Sequence, residues 1–476
     1  MKEASQQCVI IGGGIAGLAI GALMGKRGLN VRIIEANPWL GGKCRRMHFS
    51  CGSYVDTGPS IFTFPEVWRK FLATWLEGDT KLKASDTSWD LKLKPYKGLG
   101  IYNFKSSLID LTDKEQPLSK HWHSYIKKHA AASQMLCELT YTDPKSIKAA
   151  RTGLKLLAKH RFKGTYESYL EKLGLPRELS EIIAMHALNT GAPPSSLPAF
   201  FASLAAGVES QGVWYPEGGM YEIVNTLIAM NKACGNQIET DTKVLEISAK
   251  TGIRTDKSTY KADIIINSLD YERFSRLTEQ DRKYLDTPYT ASAVAIYAKL
   301  KAFPSSADHI KDEHIVLMPD NSKEFFADVV AQKVNQAPMS FASIHSVNSK
   351  VYPNNSAPVM GLIVTLPPNG KHYALDNSLI TRELNRFAKV LGITNLTDLI
   401  EESLILDPQY YGEFGAKGGA IYGRCVPFRK AGPMHPVPYE DKHLEGVWHV
   451  GTSVHPGGGI PAILGGVMIA ASKINY

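Results

Sequence analysis

The run Val9-Ile10-Ile11-Gly12-Gly13-Gly14-Ile15-Ala16-Gly17 places glycines at a spacing suited to phosphate chemistry. Gly12 permits a tight turn, and Gly14 lets the backbone approach an anion with no Cβ in the way. Gly17 allows a helix to pack closely on the strand before it. A helix opening at Ile15 and Ala16 presents unpaired N–H groups and the positive end of its dipole to that anion. Glu35, followed by Ala36, lies eighteen positions beyond Gly17. At that spacing a carboxylate accepts from ribose hydroxyls and disfavours a 2′-phosphate. The chemistry is therefore the binding of a dinucleotide. His455 and His314 are available as proton acceptors, and each has as good a claim to be a packing or hydrogen-bonding residue. Asp56 reads as a loop anchor, and Tyr422 as either a cavity wall or a core aromatic. No Ser-His-Asp arrangement, HExxH or paired-carboxylate motif is found.

The elements that position these residues follow from the local pattern. Cys8–Ile11 is a short β-branched run and predicts a strand. Ile15–Lys26 is apolar or small throughout and predicts a helix buried between sheet and ligand. Val31–Glu35 predicts a second strand. Leu118 to Leu173 reads mostly helical, with a break near Asp143-Pro144, and a further helix follows Leu175-Pro176 to Met185. Val244–Ile247 and Ala262–Asn267 predict strands returning to the first lobe. Ala291–Leu300 and Val359–Thr365 predict a second sheet, and Thr381–Leu391 a helix. The expected organisation interleaves two lobes: residues 1–75, 212–285 and 440–476 form the nucleotide lobe, while 76–211 and 286–439 form the other.

Composition sets the class. With 476 residues, 44% hydrophobic and 21% charged, the chain is ordinary for a globular protein and long enough for two cores. The N-terminal residues carry no secretory pattern, and no apolar run reaches the length of a bilayer span. The six cysteines form no CxxC pair, so neither a metal site nor a disulfide framework is expected, and a cytoplasmic setting is. The net charge is +8. Residues 120–163 hold ten Lys or Arg (120, 127, 128, 145, 148, 151, 155, 159, 161 and 163) against Glu138 and Asp143, an excess equal to that whole. Such a patch is either a solvated face or a surface for an anionic partner.

After Glu35 come Gly41-Gly42-Lys43-Cys44-Arg45 and then Asp56, Gly58, Pro59 and Ser60. This series resembles the second signature of the glutathione-reductase-like FAD family, in which GG and a basic residue lie close to the flavin and pyrophosphate. Lys43 stands where that family more often has arginine, which keeps the charge and loses the bidentate geometry. The cofactor implied is FAD, and with no second GxGxxG after a strand no NAD(P)H site is expected.

Three further stretches widen the resemblance: Gly212-Val213-Trp214-Tyr215-Pro216-Glu217-Gly218-Gly219-Met220; Glu313-His314-Ile315 with Ser356-Ala357-Pro358 and Gly361; and Gly451-Thr452-Ser453-Val454-His455-Pro456-Gly457-Gly458-Gly459-Ile460-Pro461. With the N-terminal motifs they resemble the flavin desaturases of carotenoid biosynthesis, the bacterial phytoene-desaturase type, nearly end to end. The resemblance implies an α/β fold: a Rossmann-type, glutathione-reductase-like FAD-binding domain interleaved with a substrate domain of mixed sheet plus helices. It implies that the helix expected at Ala462–Ala471, entered through Gly459, Ile460 and Pro461, points at the pyrimidine edge of the flavin. It also implies that the backbone of Val244 meets the adenine. Related flavoproteins often have an acidic residue where this chain has Thr452, after Gly451.

The reaction implied removes two hydrogens from adjacent carbons of a polyene, with hydride going to flavin. The reduced flavin then needs an external acceptor, dioxygen or a membrane quinone. The C-terminal motif looks most like members that introduce a 3,4 double bond into a hydroxylated or monocyclic carotenoid. The alternatives are a phytoene desaturase, a polyene isomerase and a flavin amine oxidase. For an insoluble substrate, residues 120–175 read as a helical, basic, monotopic part facing the membrane, making the protein peripheral on the cell membrane. No nucleic-acid partner is expected.

Overall fold

The computed structural model describes residues 6–77, 89–96, 101–104, 107–160, 164–248, 252–278 and 286–475. Arg161 and Lys163 of the basic segment lie outside those residues.

Five strands form a parallel sheet in the order Val447–His449, Ile264–Asn267, Gln7–Ile11, Asn30–Ile34 and Gln237–Glu239. Gln7–Ile11 is central. It is apolar from Cys8 onward and buried there, as a parallel strand covered on both faces must be. The helix Ile15–Lys26 buries all but its last turn, which explains its lack of a polar face. It packs on Glu222–Ala233 and Ile460–Lys473, so three stretches remote in sequence share one core. Val244–Ser248 does not join this sheet. It pairs antiparallel with Gly252–Thr255, and Thr259–Tyr260 completes a separate three-stranded sheet, packed through Val244 and Ile247 against Val9, Ile11 and Ile34.

A second, seven-stranded sheet runs Ile400–Leu406, Ser292–Leu300, Val359–Leu366, Ser340–His345, His314–Leu317, Ile101–Phe104 and Ser107–Asp110. All pairs are antiparallel except His314–Leu317 with Ile101–Phe104. Ser292–Leu300 is buried over its full length. One face packs on the amphipathic helix Ser378–Val390 through Leu384 and Phe387. The other packs on a helical layer that includes Ser119–Thr140, Tyr166–Glu171, Arg177–Met185 and Ser203–Gln211.

The break expected near Asp143-Pro144 separates Ser119–Thr140 from Ile147–Lys159. Ser146 restarts the helix by accepting a hydrogen bond from the Ala149 N–H at 3.1 Å, an N-cap worth about 1 kcal/mol. Among the described residues, no helix is long and apolar enough to cross a membrane.

Candidate active site

One cavity of about 1360 Å³ runs between the two sheets and under the helical layer. Two helix starts open into it. The first is Ile15–Lys26, whose N-cap Gly14 offers no side chain to the free N–H groups. The second is Ile460–Lys473, entered through Gly459 at φ +90° with Pro461 in its first turn. Unpaired N–H donors at two helix starts, facing one cavity, are what a diphosphate and the carbonyl edge of a flavin require. Gly14 is the informative position. A Cβ built there meets only Gly42 Cα, at 3.9 Å, so the space in front of it belongs to the cavity. At Gly17 a Cβ would overlap the Gly12 carbonyl oxygen, so this glycine serves the helix–strand contact.

The residues expected at the cofactor mostly come together. Gly12, Gly14, Ile15, Ala16, Glu35, Ala36, Gly41, Gly42, Lys43, Gly58, Pro59, Ser60, Val244, Gly451, Thr452, Gly459, Ile460 and Pro461 all line the cavity. Gly17 and Arg45 are not on its wall. Arg45 turns away, its guanidinium 3.6 Å from the Trp39 ring centroid and donating to Tyr410 Oη at 3.3 Å. Glu35 is held by the turn it faces: Gly13 N–H donates to Oε2 at 2.7 Å, and Asn37 N–H donates to Oε1 at 2.9 Å. Asp56 stands outside the cavity. It accepts from Arg46 at 2.9 and 3.2 Å and from Tyr221 N–H at 2.9 Å, tying the loop after Gly42 to the segment before Glu222–Ala233.

Lys43 is half-buried and donates from Nζ to the Ile421 carbonyl at 2.6 Å. Burial pulls its ammonium down to about 8, and Asp270 opposes that shift. Asp270 was not singled out by sequence. It lies on the wall, receives the Glu272 N–H at 3.0 Å and the Ser453 hydroxyl at 3.2 Å, and burial pushes its carboxyl up. A signal existed. Asp270 follows the end of the parallel strand Ile264–Asn267, where open α/β sheets place ligand-facing side chains. Phe64 was also missed. It lines the cavity in the left-handed region, at φ +51°, ahead of Pro65, a conformation costing about 1–3 kcal/mol for such a residue.

Both histidines reach the cavity from different walls. His314, 1% exposed, opens the strand His314–Leu317; its Nε2 shares a hydrogen bond of 3.0 Å with Ser60 Oγ, and its Nδ1 has no partner among the described residues. Burial lowers its pKa to about 4, and His345 adds to the effect. His455 is half-buried, its Nε2 also lacks a partner, and its carbonyl accepts from Tyr439 Oη at 2.7 Å. Burial lowers it to about 4 as well, with His435 contributing. Tyr422 is a wall residue and packs against Gly458.

Away from the glycine loops the wall is mostly apolar: Leu136, Leu157, Phe200, Phe201, Met339 and Phe341 contribute, with Arg273, Gln332 and Arg424 among the exceptions. It reaches the surface at Leu154 and Phe428, which are 59% and 47% exposed. A glycine-lined cradle continuous with a largely apolar chamber suits a flavin-dependent oxidoreductase.

The chain belongs to the flavin containing amine oxidoreductase family, whose profile matches residues 15–402. It is an FAD-dependent oxidoreductase. Among curated relatives it is similar to a 1-hydroxycarotenoid 3,4-desaturase of a Flavobacterium species, at 26% identity over 98% of this chain and 99% of that one. It is also similar to phytoene desaturase of Neurospora crassa, at 22% identity over 98% and 84%. A third relative is 4,4′-diaponeurosporene oxygenase of Staphylococcus aureus, at 24% identity over 99% and 98%. The resemblance to desaturases of the phytoene type is borne out by these relatives. Among solved structures the fold resembles putrescine oxidase bound to putrescine, with a TM-score of 0.63 at 13% identity over 99% and 98% of the chains. Cyclohexylamine oxidase of Brevibacterium oxydans gives 0.59 at 13% identity over 98% of each.

Proposed function

We propose that the protein is a carotenoid desaturase that removes two hydrogens from adjacent carbons of a polyene, and that its bond is the 3,4 bond of a hydroxylated or monocyclic carotenoid. The observation that carries this reading is the continuity of the cavity: a dinucleotide cradle opens into an apolar chamber that reaches the surface. The full-length relatives support the substrate class. FAD, when bound, supplies the hydride acceptor. The residues proposed to hold it are the glycine turn with Ile15 and Ala16 at the pyrophosphate, Glu35 and Ala36 at the ribose, and Val244 at the adenine. Gly41 to Lys43, Gly58 to Ser60, Gly451 and Thr452 would lie along the rest of the cofactor, and Gly459 to Pro461 at the flavin ring. Arg45 would act indirectly, by bracing its loop on Trp39. The apolar wall excludes water and holds the chain extended, and resonance along the polyene removes the need for a strong base. His455 remains a proton acceptor under this reading.

Docking on a membrane is proposed for the side where Leu154 and Phe428 bring the cavity to the surface. Ile147 and Leu154 on the helix Ile147–Lys159, with Phe428 and Met434, are 72%, 59%, 47% and 68% exposed. Lys148, Arg151, Lys155 and Lys159 lie on the same helix as Ile147 and Leu154. An apolar rim set among basic residues suits the surface of an anionic bilayer. Electrons would leave to dioxygen or a quinone.

Pigment analysis of cells that accumulate acyclic and monocyclic carotenoids tests the proposal. A new pigment two hydrogens lighter and absorbing further to the red supports it and identifies the bond. Unchanged mass with altered isomer ratio would move the reaction to isomerisation. No pigment change, with peroxide released from an amine, would move it to amine oxidation.

A further inference from the structure

Several hydroxyls on the inner wall already have partners. Thr290 donates to the Gly423 carbonyl at 2.9 Å, Ser292 to the Gly419 carbonyl at 2.7 Å, and Tyr289 to the Glu272 carboxylate at 2.8 Å. Tyr422 differs. Its N–H donates to Thr290 Oγ1 at 3.2 Å, which fixes the main chain, and its ring is gripped between two glycines. A Cβ added to Gly458 would lie 2.1 Å from Tyr422 Cδ1, and one added to Gly191 would lie 3.0 Å from Cδ2. The hydroxyl beyond that grip makes no hydrogen bond among the described residues. Nor is it closed in by protein, as His314 Nδ1 and His455 Nε2 are, so on this half-buried wall residue it opens on the cavity.

The place and the chemistry of this hydroxyl decide what it binds. Gly458 immediately precedes Gly459, the N-cap of the helix Ile460–Lys473, which is proposed above to lie at the flavin ring. The Tyr422 ring therefore stands beside the reacting end of the chamber and not where Leu154 and Phe428 meet the surface. Burial pushes its phenol up, so the group stays protonated, with one hydrogen to give and lone pairs to receive. An alcohol on the substrate satisfies it in either role. A hydrocarbon end displaces water from the phenol and returns no hydrogen bond, which leaves a desolvated polar group at a cost. The ring cannot turn aside to another partner, because the two glycines hold it from both sides.

We propose that the Tyr422 hydroxyl is the hydrogen-bonding partner of the hydroxyl on the end group of the substrate, and so selects a hydroxylated polyene over its hydrocarbon counterpart. This rests on the desaturase reading above. It agrees with the position of the reaction: in a 1-hydroxy end group the oxygen-bearing carbon lies two bonds from the nearer carbon of the 3,4 bond. A partner for that oxygen must therefore sit near the flavin, and the contact with Gly458 puts Tyr422 there. Tyr422 is a specificity residue under this proposal, and abstraction of the proton is left to another group. Tyr411 supplies the control. It also lines the cavity and its hydroxyl also has no partner, but no contact with the glycines before Ile460–Lys473 holds it beside that helix.

The test uses the FAD-loaded full chain and two micellar substrates, an acyclic 1-hydroxycarotenoid and the same carotenoid without the hydroxyl. Two quantities are measured for each: kcat/KM, and Kd from quenching of tryptophan fluorescence. The wild type is expected to favour the hydroxylated substrate by about tenfold in both, since a site that bonds a hydroxyl discriminates against its absence. Tyr422→Phe keeps the ring between its two glycines and removes only the hydroxyl, so it should load with flavin and bring both ratios close to one. Tyr411→Phe should keep the preference. Equal handling of the two substrates by the wild type would overturn the proposal, and this result needs no variant to fold. A preference retained by flavin-loaded Tyr422→Phe, or lost in Tyr411→Phe instead, would overturn it too. Turnover of neither carotenoid by the wild type would overturn the desaturase reading, and the Kd ratios of wild type and Tyr422→Phe would still decide the role of the hydroxyl.

Discussion

At one end of the cavity Gly12, Gly14 and Gly459 leave room for backbone N–H groups at two helix starts; at the other, Phe200, Met339 and Phe341 present side chains from a short turn, a loop and a strand. On the proposed reading the first end recognises its ligand with atoms every residue possesses, so its specificity would lie in the absence of side chains. The second recognises with side chains, so its specificity lies in which residues the fold brings together. Errors should therefore differ in kind. At the glycine end a single added methyl blocks a ligand or a helix. At the side-chain end a substitution changes preference, or the cost of burial, and leaves the cradle standing.

The sharpest break is Gly17→Ala. Its Cβ would overlap the Gly12 carbonyl oxygen, so helix and strand must separate. Loss of about 3 kcal/mol or more, with no flavin retained, is expected in urea unfolding and absorbance at the flavin bands. A flavin-loaded variant of native stability would show that the helix–strand contact is looser than the Gly12–Gly17 approach implies.

Acid should act on buried side chains and not on the glycine turns. Burial lowers the pKa of both His314 and His186 from 6.5 to about 4. Between pH 6.5 and about 4 the unfolded chain binds protons that the native protein does not. Stability therefore falls as pH drops through that window, by up to about 3 kcal/mol per ring at its lower limit. Urea midpoints at pH 7 and pH 5 measure this, and equal midpoints would mean that these rings titrate normally in the fold.

Gly14→Ala sharpens the comparison, because its Cβ meets no protein atom closer than 3.9 Å. The apo-fold should keep its melting temperature while FAD affinity falls about 100-fold, equivalent to about 2.7 kcal/mol. Titration of the apo-protein with FAD checks it, and unchanged affinity would move the pyrophosphate elsewhere. The smallest effect belongs to the mouth. Lys148→Gln, Arg151→Gln and Lys155→Gln should each weaken binding to phosphatidylserine vesicles by about 1 kcal/mol, roughly fivefold, at low salt. Sedimentation with vesicles measures it, with FAD content unchanged. Equal binding by all three would place the membrane face elsewhere.

The same contrast explains what could be read early. The glycine turn, the helix Ile15–Lys26 and the strand beside it were readable because buried β-branched runs and glycine spacing report backbone needs locally. The helix expected at Ala462–Ala471 extends to Ile460–Lys473, because Gly459 and Pro461 start it earlier. Val244 was readable as a strand residue, yet its place outside the parallel sheet was not: it pairs in a local antiparallel hairpin with Gly252–Thr255. Arg45 carried the right charge in the right loop, but an aromatic neighbour and Tyr410 took its side chain.

By itself the sequence determined the glycine turn with the helix and strands beside it, the α/β class and the excess of basic charge before residue 164, because each depends on residues near one another along the chain. Tertiary structure decided the rest. It joined Ser60 to His314 across 254 positions, set Asp270 facing Lys43, and turned scattered Leu and Phe residues into one chamber. The physical reason is that a backbone conformation is dictated by the residue that adopts it, whereas a contact between side chains exists only once the intervening chain has folded and its entropy cost has been met.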